Sequence, residues 1–269
     1  MITIGTIAIL LYVGAWFALT MGWRATLKSQ ETPQLSKYYL HAWVVATALH
    51  AVYLYLPLFH EQQLALDFFS AASHVMWLAG LVLLATSRTN KLESLSVFFI
   101  PFITLALLLQ ITCSSSSKTM LVVSNGVGVH ILTALLAYSM LMVGTIQALL
   151  LAYQHNSLHS QKPNILLRTL PSLQDMDKLL FRFISVGLAL LSIALVTGFI
   201  FLEDLFAQHV AHKTILSLIA WFVFTALIVG RWRYGWRGIT ATRWTLSGFA
   251  LLMLAFFGTK FVQEYLLTP

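Results

Sequence analysis

The stretch VGVHILTALLAYSML, Val127 to Leu141, decides how the chain is to be read. It is apolar along its length, carries no charged residue, and holds one histidine, His130, near its start. The apolar character continues to about residue 152. A run of about 20 such residues crosses the hydrocarbon core of a bilayer. There it must be helical, because lipid offers the backbone no hydrogen-bond partners. An imidazole in that setting is costly unless something satisfies it, so the question raised by this stretch is what His130 binds.

The rest of the chain has the same character. Of 269 residues, 59% are hydrophobic and 9% charged, and the mean hydropathy is +0.82. A soluble domain carries about a quarter charged residues. Hydropathy and its breaks predict an all-α, polytopic transmembrane bundle of eight helices, at about 4–22, 38–57, 67–87, 94–112, 122–152, 182–202, 214–231 and 243–262. Residues 1–269 read as a single integral membrane domain, without an internal repeat or a soluble domain. The first apolar stretch, Ile4 to Met21, lacks a basic n-region and a small-residue cleavage site, which predicts a retained helix. The single cysteine, Cys113, excludes an internal disulfide and a thiolate metal cluster.

A pI near 9.6 invites a nucleic-acid reading, but the placement of the charges explains it better. Thirteen of the 16 Lys and Arg residues fall in alternate connections: Arg24, Lys28 and Lys37; Arg88 and Lys91; Lys162, Arg168, Lys178 and Arg182; Arg231, Arg233, Arg237 and Arg243. Only Lys118, Lys213 and Lys260 fall on the other side. The positive-inside rule then places both termini outside, on the periplasmic face of a bacterial inner membrane. In GRWRYGWRG (Gly230–Gly238), Arg interleaves with aromatic residues, a pattern suited to headgroups and anionic lipid; lipid is the expected partner, and nucleic acid is not. In PSLQDMDKLLFRF (Pro171–Phe183), Ser172 and Asp175 form a capping-box pattern with Asp for Glu. Apolar residues at helical spacing follow, predicting a segment along the inner interface that leads into span six.

Topology sorts the nine histidines. His155 and His159, four residues apart, fall in the predicted cytoplasmic loop without an evident third ligand. His41 is interfacial, and His60, His209 and His212 fall in outer connections. His50, His74 and His130 lie within three different spans. At about 1.5 Å per residue, His50 and His74 sit roughly 4–5 Å outward of mid-span, and His130 is level with them or higher. No Asp, Glu, Lys or Arg shares that depth, which weighs against an ion-coupled transporter. Neutral imidazoles from separate helices suit iron in a porphyrin, held from opposite faces. The competing reading is that each imidazole hydrogen-bonds a hydroxyl or carbonyl of a neighbouring helix. Gly126 and Gly128 either admit a flat ring to the backbone or serve helix packing.

Several features then occur in order. His130 is followed eight residues later by Tyr138 in HILTALLAY. Lys213 precedes Trp221 by eight in KTILSLIAW. GWRG (Gly235–Gly238) and GFALLMLAFFG (Gly248–Gly258) complete the series. The chain resembles the cytochrome c assembly protein family, CcsA/HemX-like, over about residues 120–262 and more loosely before that. The resemblance implies a haem-associated membrane protein. His130 corresponds to an external haem ligand, while His50 is placed to be the intramembrane one. FLEDLFAQHVAH (Phe201–His212) lacks the tryptophan-rich platform of cytochrome c synthetases, and LIVGR (Leu227–Arg231) lacks the histidine expected there. The chain is therefore more similar to the HemX/YpjD-like branch.

Together these readings predict haem b ligated by two histidines, His50 and His130, as the metal ligands. His74 is held in reserve, and Lys213 and Tyr138 are further cofactor contacts. The expected role is handling or sensing haem, or passing electrons, in support of cytochrome assembly, with an assembly protein as partner. No nucleophile with an adjacent base, phosphate loop or carboxylate pair points to a catalysed reaction. The alternatives are a non-haem scaffold that regulates a partner and a small-molecule transporter.

Overall fold

The computed structural model describes residues 2–28, 34–61, 63–87, 93–114, 120–122, 125–159, 170–201 and 211–266. Arg88, Lys91, Lys118, Lys162, Arg168 and His209 lie outside them. The helices are α1 (Ile2–Leu27), α2 (Tyr39–Glu61), α3 (Phe68–Ser87), α4 (Glu93–Cys113), α5 (Asn125–His159), α6 (Leu173–Phe201), α7 (Ala211–Tyr234) and α8 (Gly238–Met253). After Met253 the last segment stays helical to Leu266, wound as π-helix over Leu254–Gly258 and Val262–Leu266. Among the described residues, eight helical segments are long and apolar enough to cross a membrane, as the hydropathy predicts. Two compact units result, one built on α1–α4 and one on α5–α8.

In the first unit, sequential helices run antiparallel. Tyr12 of α1 meets Thr47 of α2, Trp77 of α3 donates its indole N–H to the Thr47 carbonyl at 2.9 Å, and Trp16 of α1 donates to the Val97 carbonyl of α4 at 2.9 Å. Gly5 faces Ile111 and Tyr53, and Gly80 faces Ile103, so missing side chains bring these helices close. A short ribbon that hydropathy did not predict pairs Gln63–Ala65 antiparallel with Met120–Val122, with Leu64 opposite Leu121. Asp67 begins α3 as its cap: the Ser70 amide donates to its carboxylate at 3.2 Å, and the Ser114 hydroxyl donates at 3.1 Å.

The second unit is organised around the α5–α6 hairpin. Its helices, 35 and 29 residues long, are about 50 and 40 Å in length, longer than the roughly 30 Å hydrocarbon core. Gly187 packs against Leu141, and Gly144 packs against Phe183 and Ile184. Gln147 donates to the Met176 carbonyl at 3.2 Å and Gln154 to the Pro171 carbonyl at 3.0 Å. The Ser172–Asp175 cap forms as read, with the Asp175 amide donating to the Ser172 hydroxyl at 3.2 Å. It starts α6 at Leu173, well before the predicted 182. The apolar face of this first part packs inward. Met176, Leu179, Leu180 and Phe183 are buried within the fold. The extension of α5 to His159 has a second consequence: His155 and His159 belong to a helix, not a loop. His60 lies in the last turn of α2 and His212 in the first turn of α7.

In the first unit, Arg24 ends α1 and Lys37 precedes α2. In the second, Lys178 and Arg182 of α6, Arg231 and Arg233 of α7 and Arg237 before α8 gather at one end. Lys213 and Lys260 lie at the opposite end of that unit.

Candidate functional site

The histidine cluster of the first unit is built by α2 and α3. His50 and His74 are both buried. His74 Nδ1 lies 2.7 Å from the Ser70 carbonyl. A carbonyl only accepts, so Nδ1 carries the proton and donates. In the neutral ring, Nε2 must then present its lone pair. That Nε2 is buried without a hydrogen-bond partner. The ring of Tyr55 packs edge-on beside His74 at 5.4 Å, and Trp77 packs in turn against Tyr55 at 5.3 Å.

His50 is satisfied differently. Its Nε2 lies 2.9 Å from the Ser73 hydroxyl and its Nδ1 3.4 Å from the Tyr12 hydroxyl. Thr47 already donates to the Trp43 carbonyl at 2.8 Å, so its oxygen accepts from Tyr12. These bonds agree if His50 Nδ1–H donates to Tyr12 and Ser73 donates to Nε2. Both nitrogens are then engaged. Ser70, Ser73, Tyr12 and Thr47 were not singled out in the sequence. The usable signal was SAASH (Ser70–His74), which sets one serine four residues before His74 and another immediately before it.

In the second unit, His130 repeats the arrangement of His74. Its Nδ1 donates across to the Ala194 carbonyl of α6 at 2.8 Å, so its Nε2 also carries a lone pair. The ring is half-buried. The flat ring that Gly126 admits is the side chain of Phe201, which makes this glycine a packing residue. Tyr138 lies on the same helix, but its hydroxyl donates to the Leu252 carbonyl at 2.7 Å, and its ring packs against Phe256 and Phe257. It joins α5 to α8 just before the first π-helical turn. Lys213 is half-buried near Gln263, with Nζ 3.5 Å from Oε1, and Lys260 is held by Glu264 at 3.1 Å. Lys213 is therefore the less committed of the two amines. Trp221 donates to the Ser192 hydroxyl at 2.7 Å, tying α7 to α6.

Among the described residues, no group of three or more His, Cys, Asp or Glu converges as a metal cage. The donor set instead offers single imidazoles, of which His74 and His130 have Nδ1–H anchored on a main-chain carbonyl. That second hydrogen bond fixes the tautomer and ring orientation of a metal-ligating histidine. Haem iron takes axial donors of this kind from a protein, so these two imidazoles are chemically suited to it.

The family model described as Cytochrome C assembly protein matches residues 38–267. The chain belongs to that family. Inner membrane protein YpjD of Escherichia coli (strain K12) is 32% identical over 146 residues, 54% of this chain and 55% of the relative. Protein HemX of Brevibacillus brevis is 24% identical over 131 residues, 48% of each. Cytochrome c biogenesis protein CcsA of Guillardia theta is 25% identical over 187 residues, 63% of this chain and 62% of the relative. The chain spans about half the length of the first curated relatives it matches. No solved structure matches it. Within the Cytochrome C assembly protein family, this chain is thus a multi-pass membrane protein with α2–α8 inside the matched region.

Proposed function

We propose that this chain is a haem-handling protein of the bacterial inner membrane. It binds haem b through histidine and serves cytochrome assembly by holding haem, sensing it or passing electrons. The observation that carries the reading is the lone pair of His74 Nε2, buried and unpartnered beside a ring locked by Ser70. His130 carries the same tautomer on the Ala194 carbonyl. Membership in the Cytochrome C assembly protein family supports the cofactor class, and the inner-membrane title of YpjD supports the location.

The sequence favours His50 with His130. The hydrogen bonds move His74 ahead of His50, because ligation through His50 Nε2 first requires the Ser73 hydroxyl to turn aside. His74 and His130 are proposed as donors each within its own unit. When bound, haem iron supplies a one-electron centre and an axial coordination site. Ser70 and Ala194 hold the imidazoles in the ligating tautomer, while Tyr55, backed by Trp77, covers the His74 ring. Lys213 is the proposed cation for a haem carboxylate, and Tyr138 acts by positioning α5. Both termini face outward, supported by the basic end of each unit and the positive-inside rule.

A scaffold without haem is the second reading, favoured by the hydrogen bonds that already satisfy His50. An optical spectrum of the purified chain separates the two. Haem ligation gives a Soret band with sharp α and β bands on reduction. The scaffold gives no chromophore, even after haem is added.

A further inference from the structure

The second unit contains a cavity of about 700 Å³ at its basic end, remote in sequence from His130 and independent of the haem proposal. Its walls come from α5, α6 and the turn into α8. Arg231 lines it but is committed: it pairs with Asp177 at 2.8 Å, donates to the Trp236 carbonyl at 3.1 Å and lies 4.4 Å over the Phe181 ring. Asp177 is therefore neutralised where it faces the cavity. Gly235 and Gly238, at φ +67° and +55°, make the turn that holds Trp236 against Gly230. A second residue of that turn, Arg237, then opens α8 in extended conformation, without a side-chain cap.

Two other cations line the same cavity, Lys178 and Arg237. Lys178 is only loosely paired, 3.8 Å from exposed Asp175. Leu151, Leu173 and Ile239 add apolar surface to the same lining. The ligand that matches has a compact anionic head and an apolar or bulky remainder, since the volume suits an organic molecule. We propose that this cavity binds a phosphoryl-bearing amphiphile or ester, with Lys178 and Arg237 on the phosphoryl group and the apolar surface on the remainder. An anionic lipid headgroup and a soluble phosphate ester share this chemistry.

The test uses the full chain in nanodiscs of phosphatidylcholine, reading the unfolding midpoint as phosphatidylglycerol or soluble glycerol phosphate is titrated. Phosphatidylglycerol is expected to raise the midpoint of the parent chain and of Arg233→Gln, an exposed substitution outside the cavity wall. In Lys178→Gln/Arg237→Gln, half-saturation should need roughly thirtyfold more of the lipid. The same pattern with glycerol phosphate alone supports the site with a soluble source. A double variant that responds like the parent chain overturns the proposal, as does a parent chain that neither probe shifts.

Discussion

At the scale of single residues, the account turns on which nitrogen of each histidine carries the proton. Ser70 and Ala194 carbonyls decide this for His74 and His130, and they leave Nε2 to donate. His74→Ala is expected to remove ligation in the first unit, seen as lost Soret absorbance. Added imidazole should restore the absorbance, because the truncated side chain leaves room for it. A folded His74→Ala chain with an unchanged spectrum rules this residue out. Ser73→Ala should leave the His74-dependent signal in place while releasing His50 Nε2, so that a His74→Ala/Ser73→Ala chain regains part of the Soret absorbance through His50. Asp177 offers a different kind of test. Asp177→Asn leaves Arg231 without its charge partner in a mostly buried setting, with an expected cost on the order of 3 kcal/mol, read as a lower unfolding midpoint.

At the scale of elements, α5 and α6 pack closely because Gly144 and Gly187 omit side chains where the helices meet. Gly187→Leu should destabilise the chain by about 1–3 kcal/mol through overpacking against Leu141, measured as a fall in unfolding midpoint. An unchanged midpoint contradicts this packing. The helices were legible in the sequence because lipid imposes one length scale and one polarity on every span. Their ends were less so. Hydropathy placed the start of span six at 182 because Asp175, Asp177, Lys178 and Arg182 lower the average, although the Ser172–Asp175 cap already marked the true start. The buried Asp177 explains the difference: its charge is met by Arg231 from α7, a partner 54 residues away that no local pattern reveals. The burial of His50 and His74 within their helices was legible, but their ranking was not. Whether His50 or His74 keeps a lone pair depends on hydroxyls from α1 and α3, and thus on packing. Tyr138 was read from a motif as a cofactor contact, whereas its hydroxyl joins α5 to the Leu252 carbonyl.

At the scale of the whole molecule, the asymmetry of Lys and Arg predicts that both termini face outward. Cys113, the only cysteine, is exposed at the end of α4 and makes a direct reporter. A membrane-impermeant thiol reagent added to intact spheroplasts should label it. Labelling only after the membrane is opened reverses the topology. The central claim, that this member of the Cytochrome C assembly protein family holds haem through His74 and His130, is tested most directly by a reduced-minus-oxidised spectrum. It compares the purified parent chain with His74→Ala/His130→Ala at equal folded protein. Haem Soret, α and β bands are expected in the parent chain, with their loss in the double variant. A folded parent chain that shows no such bands after haem is supplied, or a double variant with the parent spectrum, contradicts it.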